Sequence, residues 1–133
     1  MLYQGDNLAM RRFSIALVLL GLSFFALPVV VVLLTSLFRW SNLAVNMADE
    51  HMIVSMYYAM GICFLMAVKD PLQHSIIIDY AIISSILHGM VMAYYALTLQ
   101  GEMAHIWGDV PFIYALAIGF YIDHPRRLER STA

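Results

Sequence analysis

Four long apolar segments occupy most of this chain and constrain its fold more than any other feature. They span residues 13–38, 47–68, 75–99 and 103–122, with short polar connections between them. About 20 apolar residues in a helix cross the hydrocarbon core of a bilayer. The chain is 62% hydrophobic and 12% charged, far more apolar than a soluble domain. The sequence therefore predicts one integral membrane domain over residues 1–133, an all-α, up-down antiparallel four-helix transmembrane bundle.

The first segment also fits a second interpretation, because Arg11 and Arg12 precede it as basic residues precede the apolar core of a secretory signal peptide. That core has only about 7 to 15 residues, whereas this apolar run continues to Phe38. We therefore predict an uncleaved first transmembrane helix. Pro28 lies near its middle and lacks a backbone donor, which predicts a kink, and Gly21 favours close approach by a neighbouring helix.

The start of the fourth helix depends on Pro111. A helix that began only at Asp109 would keep too few residues to span the bilayer without thinning it. We therefore expect this helix to begin near Met103 and to be distorted at Pro111, where a proline removes a backbone donor.

The distribution of basic residues predicts the orientation of the bundle. In a four-span arrangement both termini lie on one side together with six of the seven basic residues, and Arg39 alone lies on the other. Cytoplasmic loops of membrane proteins carry the excess of Lys and Arg. We therefore expect both termini in the cytoplasm, and a compact bundle with short loops in a bacterial inner membrane.

The third segment carries polar residues that a simple membrane anchor lacks, and ionisable groups at this depth are functional candidates by default. Asp79 and His88 are nine residues apart, so at about 100° per residue they point in opposite directions and cannot form one site. Asp79 lies one turn inside the cytoplasmic boundary. There we expect a boundary ion pair of Asp79 with Lys69, or with the arginines of the C-terminal tail.

His88 lies near the bilayer midplane and is the stronger functional candidate. It shares its face with Ser85, and a possible partner is Asp109 on the fourth helix, with His105 one turn before it. In antiparallel neighbouring helices these residues form a polar track from the outer face toward the middle of the membrane. Such a track could be a proton path, a buried ligand site or a metal ligand set, or only interhelical hydrogen bonding that fixes the packing.

Copper and haem are the cofactors that the residue types bring into consideration. Thioether and imidazole ligands suit Cu(I), and Met52, Met56 and Met60 recur every four residues along the second helix. Methionine is also an ordinary gap-filler in packed interiors. A b-type haem held by two histidines needs both to point inward, but only His88 lies well inside the bundle. The sequence therefore favours a packing role for the methionines and predicts neither copper nor haem.

Several other classes of function are disfavoured. With a net charge of −2 and no long basic run, the chain is not expected to bind nucleic acid. The single cysteine, Cys63, supports neither a disulfide framework nor a cysteine-based zinc site. The sequence contains no nucleotide-binding loop, zinc-protease motif or catalytic triad that can be mapped. An enzymatic role is therefore left open but is not favoured.

Three stretches resemble a family of small, uncharacterised bacterial four-helix membrane proteins, a domain of unknown function. They are MYYAMGICFLMAVKDP, which contains Gly61, the following HSIIIDYAIISSILHGMVM, and HIWGDVPF at the fourth helix. The resemblance covers roughly residues 52–120. The residues that fall on the shared pattern are Asp70, Pro71, His74, Ser85, His88, His105, Gly108 and Asp109. Asp79 departs from this pattern, which has an apolar or aromatic residue there, and the resemblance implies no activity.

Two classes of function remain. Short loops leave little surface outside the membrane for a catalytic site, and an apolar bundle rich in Met, Tyr and Phe can dock against a larger complex. We therefore expect a non-catalytic accessory or structural subunit, whose partners are the lipid bilayer and other membrane protein subunits. The alternative is a small transporter, channel, or redox or metal-binding membrane module that uses His88, Asp109 and His105.

Overall fold

The computed structural model describes residues 2–33 and 47–130, and within these ranges every regular element is helical. Four long helices follow one another: α1 (Leu8–Leu33), α2 (Met47–Ala67), α3 (Ser75–Thr98) and α4 (Asp109–Ile122). A 3₁₀ turn (Met103–Ile106) precedes α4, and a short helix, α5 (Pro125–Arg130), follows it. The prediction of an all-α fold with four helices is confirmed.

Three helical stretches of the described chain are long and apolar enough to cross a membrane: Leu8–Leu27, Ser75–Thr98 and Met103–Arg130. The apolar part of α2, His51–Ala67, is shorter. The large apolar side chains that are more than half exposed include Leu19, Leu22, Met56, Met66, Ile76, Ile83, Leu87, Met90, Leu97 and Ile118. Because so extensive an apolar surface marks contact with lipid or with another protein, these helices indicate a membrane protein.

The first helix begins at Leu8, earlier than the sequence predicted. The backbone N–H of Met10 donates to Oδ1 of Asn7 at 3.1 Å, so Asn7 caps the helix and both following arginines join its first turns. The helix continues through Pro28 without a break. The last part of the predicted first helix, 34–38, lies outside the described residues.

The fourth helix also differs from its prediction. The segment Met103–Ile106 is a 3₁₀ turn, and the α-helix begins only at Asp109, after a two-residue turn. Pro111 is the third residue of α4, where a backbone N–H would have no partner within the helix. The proline therefore fits the start of α4, and the helical structure is interrupted before the proline, at residues 107–108. The 3₁₀ turn and α5 lengthen the apolar stretch enough to span a membrane.

One hydrophobic core joins all four helices near the chain termini. Its buried side chains are Phe13, Leu17, Phe64, Ala67, Val68, Ile78, Ala81 and Phe120. They come from the beginnings of α1 and α3 and from the ends of α2 and α4, so consecutive helices run in opposite directions. The closest pairs are α1 with α2 and α3 with α4. The predicted up-down antiparallel arrangement is therefore confirmed.

A column of aromatic rings runs through the bundle from this core. Its members, in order away from the termini, are Phe13, Phe120, Phe64, Phe24 and Tyr57. The centroids of successive rings are 6.3, 5.2, 5.7 and 5.5 Å apart, which is the range of favourable aromatic pairs. The aromatic column ends beside His88, whose ring meets that of Tyr57 edge to face.

Two glycines bring α1 and α2 into direct backbone contact. A Cβ atom added to Gly61 would lie 2.9 Å from the carbonyl oxygen of Gly21, and one added to Gly21 would lie 3.0 Å from that of Gly61. Small residues at a contact let helix backbones approach closely in a membrane. The close approach expected at Gly21 is therefore present, and Gly61 is its partner.

Replacing Gly61 with alanine is expected to push α1 away from α2 and to lower the free energy of unfolding by about 1–3 kcal/mol, the usual cost of overpacking. Thermal unfolding in mild detergent measures this change. Gly119→Ala on α4 is the matched control, because a Cβ atom there meets nothing within 4 Å. Alanine favours a helix over glycine by about 0.5–1 kcal/mol, so this control should unfold no earlier than the wild type. Equal unfolding temperatures for the two variants would contradict the glycine contact.

Candidate functional site

Three buried ionisable side chains meet at the end of the bundle opposite the termini: Glu102, His105 and Asp109, called here the carboxylate–histidine site. Glu102 follows the turn after α3, where Gly101 adopts a φ of 93°, a left-handed conformation that favours glycine. His105 lies on the 3₁₀ turn, and Asp109 is the first residue of α4. Spacings of three and four residues along a helical stretch bring the three side chains together.

The imidazole of His105 lies between the two carboxylates. Its Nδ1 is 2.9 Å from Oδ2 of Asp109, and its Nε2 is 3.2 Å from Oε2 of Glu102. The side chains of His105, Glu102 and Asp109 are only 2%, 3% and 9% exposed. Each ring nitrogen therefore faces a carboxylate oxygen in a region that water hardly reaches.

Nδ1 of His105 is hydrogen-bonded to Asp109, and Nε2 faces the carboxylate of Glu102. An ionised carboxylate only accepts hydrogen bonds, and neutral imidazole has a single N–H group. Hydrogen bonds at both ring nitrogens would therefore need a second hydrogen, either on the imidazole or on a carboxyl group. The carboxylate–histidine site thus offers an acceptor on each side of one imidazole.

Asp109 has one oxygen that these contacts do not use. Its Oδ1 is enclosed by protein and has no hydrogen-bond partner within the described part of the chain. The backbone N–H groups of Asp109 and Val110 lie near the carboxylate, where the start of α4 favours negative charge. Leaving a buried carboxylate oxygen unpaired is costly. A proton or a bound polar group at Oδ1 would remove that cost.

His88 and Tyr57 lie deeper in the bundle than the carboxylate–histidine site. The phenol oxygen of Tyr57 is 3.3 Å from Nε2 of His88, and the two ring centroids are 6.5 Å apart. Asp109 interacts electrostatically with both residues. The sequence suggested Asp109 as a possible partner of His88. Asp109 interacts with His88 electrostatically, but the hydrogen bond of His88 is with Tyr57.

Of the predicted polar track, the structure brings His105 and Asp109 into contact, and His88 interacts with Asp109 only electrostatically. Ser85 is half-buried and makes no hydrogen bond to a residue that the structure describes. Sequence reasoning missed Glu102 and Tyr57. The spacing of Glu102, three residues before His105, was a usable signal because i,i+3 side chains are neighbours on a helix. Tyr57 comes from another helix, and nothing in the sequence relates it to His88.

The carboxylate–histidine site is poorly shaped for a metal ion. Metal ligands converge on one point, whereas the two nitrogens of His105 face separate carboxylates. Among residues 2–33 and 47–130, no group of three His, Cys, Asp or Glu side chains is placed to hold a metal ion. The methionine stripe considered for copper is largely exposed, at Met52 and Met56.

Residues 9–123 match a family of unknown function, DUF6632. The chain belongs to this family. The match to DUF6632 begins in α1. It therefore includes the first helix, which lay outside the resemblance noted over residues 52–120. No curated protein and no solved structure matches the chain. The function of this DUF6632 protein must therefore be argued from its own site.

Asp79 of this DUF6632 chain does not form the predicted pair with Lys69. Its Oδ1 is 3.0 Å from Nε2 of His124, and its Oδ2 forms an ion pair with Nη2 of Arg126 at 2.9 Å. Arg126 also donates from Nε to Oγ of Ser75 at the start of α3. In place of Lys69, the end of the chain after α4 brings His124 and Arg126 to the carboxylate. The alternative partner, an arginine of the tail, is the one that the structure shows.

Replacing His105 with alanine is expected to lower the free energy of unfolding by about 1–3 kcal/mol, the cost of leaving a buried polar group unsatisfied. Oδ2 of Asp109 would lose its imidazole partner while Oδ1 still has none. Thermal unfolding in detergent measures the loss. His51→Ala on α2 is the control, since His51 is exposed. If both alanine variants unfold at the same temperature, His105 does not hold the site together.

Replacing Asp79 with asparagine is expected to release α5 while leaving the unfolding temperature nearly unchanged. Asp79 and Arg126 are 30% and 51% exposed, and such partly exposed pairs contribute at most about 1 kcal/mol. Trypsin should therefore cut faster after the arginines of α5, as mass spectrometry of the fragments would show. Asp123→Asn, one residue before His124, is the control and should be cut at the wild-type rate. A cleavage rate that D79N leaves unchanged would mean that Asp79 does not anchor the tail.

Proposed function

We propose that this protein is a small proton channel or proton-coupled transporter of a bacterial inner membrane. The observation that carries the proposal is the imidazole of His105 between two buried carboxylates, 2.9 Å from Asp109 and 3.2 Å from Glu102. Chains of Asp, Glu and His inside membrane proteins mark proton relays and ion pathways. A proton is also the ligand that hydrogen bonds at both nitrogens of His105 would need.

In this proposal the proton enters through Glu102 and leaves toward the middle of the bundle. Glu102 passes it to Nε2 of His105, and the imidazole releases its other ring proton from Nδ1 to Asp109. The imidazole then remains neutral, with its hydrogen on Nε2. The neutralised Asp109 no longer acts electrostatically on His88 and Tyr57. Proton binding at the carboxylate–histidine site would therefore change the electrostatic environment of these two side chains.

The aromatic column explains why such a path would be gated. Beyond Tyr57 the column continues with Phe24, Phe64 and Phe120, which cannot donate or accept a proton. Apolar constrictions of this kind block ions and water until they open. Full passage across the membrane therefore requires a movement that separates these rings.

The orientation assigned in this proposal places both termini in the cytoplasm and the carboxylate–histidine site toward the outer face. The support is the distribution of basic residues. Arg11, Arg12, Lys69 and the three arginines of α5 belong to the end that holds the core and the termini. Cytoplasmic sides of membrane proteins carry this excess. Protons would then enter from the outer side.

A non-catalytic accessory subunit of a larger membrane complex is the second candidate. The observation in its favour is the uncovered surface of α3, of which only 22% of the most apolar stretch is buried within the chain. Exposed tyrosines on this helix, Tyr80 and Tyr94, offer large contact area to a partner subunit. In that role the carboxylate–histidine site would only fix the packing of α3 against α4.

Replacing Asp109 with asparagine is expected to abolish proton binding and proton flux. Infrared spectra of the protein in membranes, recorded over a pH series, should show a carboxylic acid or imidazolium signal that D109N removes. In vesicles with an internal pH dye and an imposed potential, D109N should slow proton uptake by on the order of 100-fold, the effect of losing a positioned proton carrier.

Asp123→Asn is the matched control, because this exposed carboxylate lies at the opposite end of α4. It should leave the infrared signal and the flux unchanged. Wild type and D109N with the same spectra and the same flux would refute the proposal. A stoichiometric complex with another membrane protein, retained in D109N, would then favour the accessory role.

A further inference from the structure

An open groove lies at the end of the bundle away from the carboxylate–histidine site, where α1, α2 and the connection to α3 meet. Its lining residues are Val18, Leu65, Met66, Val68, Lys69 and His74. Its volume is ≈ 530 Å³, within the range of about 300–1,000 Å³ that is typical of small-molecule sites. The groove therefore has room for part of a ligand but is not closed around one.

The lining of the groove changes from apolar to polar along its length. Val18 and Leu65 lie within the helical part of α1 and α2, whereas Lys69 and His74 lie on the connection between α2 and α3. Because α2 ends at Ala67, the polar end is at the boundary of the apolar bundle and the apolar end extends along the helices. This is the polarity of a phospholipid, with its headgroup at the interface and its acyl chain in the hydrocarbon region.

Lys69 supplies a cation at the polar end. Its side chain is exposed and has no carboxylate partner in the described part of the chain. Two other basic residues at this end have partners, since Arg126 pairs with Asp79 and Arg127 lies 3.9 Å from the ring centroid of Tyr121. Lys69 is therefore available to an anion that enters the groove.

His74 borders the same end in a fixed orientation. Its Nδ1 donates to the carbonyl oxygen of Asp70 at 2.9 Å, because a carbonyl oxygen can only accept, and Nε2 is left as its second polar atom. The nearby carboxylate of Asp70 accepts from the backbone N–H of Gln73 at 3.0 Å and is not part of the lining. The groove thus presents a cation and an imidazole, and no carboxylate, to a ligand.

We propose that this groove binds one anionic phospholipid, with its phosphate at Lys69 and His74 and one acyl chain along Val18 and Leu65. The charge of Lys69 selects an anionic headgroup over a zwitterionic one, and the apolar lining holds the chain. Basic pockets between transmembrane helices on the cytoplasmic side bind anionic lipid headgroups by this combination. The inference is independent of proton binding at the other end.

The experiment measures lipid binding to the intact protein in mild detergent by native mass spectrometry. The probes are dioleoyl phosphatidylglycerol, which is anionic, and dioleoyl phosphatidylcholine, which is zwitterionic. Wild type should retain the anionic lipid preferentially. Lys69→Gln should weaken its binding about fivefold, the effect of one basic residue near a membrane surface, and leave phosphatidylcholine unchanged. Val18→Phe fills the groove and should reduce the binding of both lipids.

Arg12→Gln is the matched control, because Arg12 is an exposed cation at the same end that does not line the groove. It should bind both lipids as the wild type does. If R12Q weakens phosphatidylglycerol as much as K69Q does, the attraction belongs to the whole basic end and the groove proposal fails. It also fails if inorganic phosphate competes fully with the lipid, or if V18F dissociates a dimer, since the groove then holds a free anion or a second copy of the chain.

Discussion

Polar groups inside this bundle must find their partners within the protein, because a bilayer core offers none. At the terminal end, Oγ of Ser14 donates to the carbonyl oxygen of Val68 at 2.7 Å and ties α1 to the end of α2. At the other end, the imidazole of His105 lies between the two buried carboxylates of Glu102 and Asp109. Among the described residues, the buried side-chain atom without a hydrogen-bond partner is Oδ1 of Asp109, and it belongs to the site at which we propose that a proton binds.

The packing of α1 against α2 positions Tyr57 beside His88 as well as stabilising the fold. The contact of Gly21 with Gly61 sets the distance between α1 and α2, and an added Cβ on Gly61 would also lie 3.3 Å from Cβ of Phe24. The ring of Phe24 contacts Tyr57, which in turn holds His88. A series of direct contacts therefore links the glycine contact to Tyr57 and His88 in this close-packed interior.

The two ends of the bundle differ in chemistry, and this difference makes the bundle asymmetric along its length. One end contains the acidic, buried carboxylate–histidine site, whose histidine lies on the 3₁₀ turn. The other carries exposed basic residues around the core and the lipid-sized groove. A basic end suits an anionic membrane surface, and a buried acidic site suits a proton that must be taken from water into an apolar interior. The two sites are separate, and the ligands that we propose for them differ: a proton at one and an anionic phospholipid at the other.

The sequence by itself determined the class and most helix boundaries, because apolar length and periodicity depend on local composition alone. It placed α2 and α3 within one residue at each end. It failed at α4, where the break at Gly108 and the place of Pro111 depend on how the chain turns after α3. Only the tertiary structure decided which side chains meet, namely Tyr57 with His88 and Asp79 with His124 and Arg126. These partners come from different parts of the chain, and their proximity depends on packing distance and rotation that no single segment encodes.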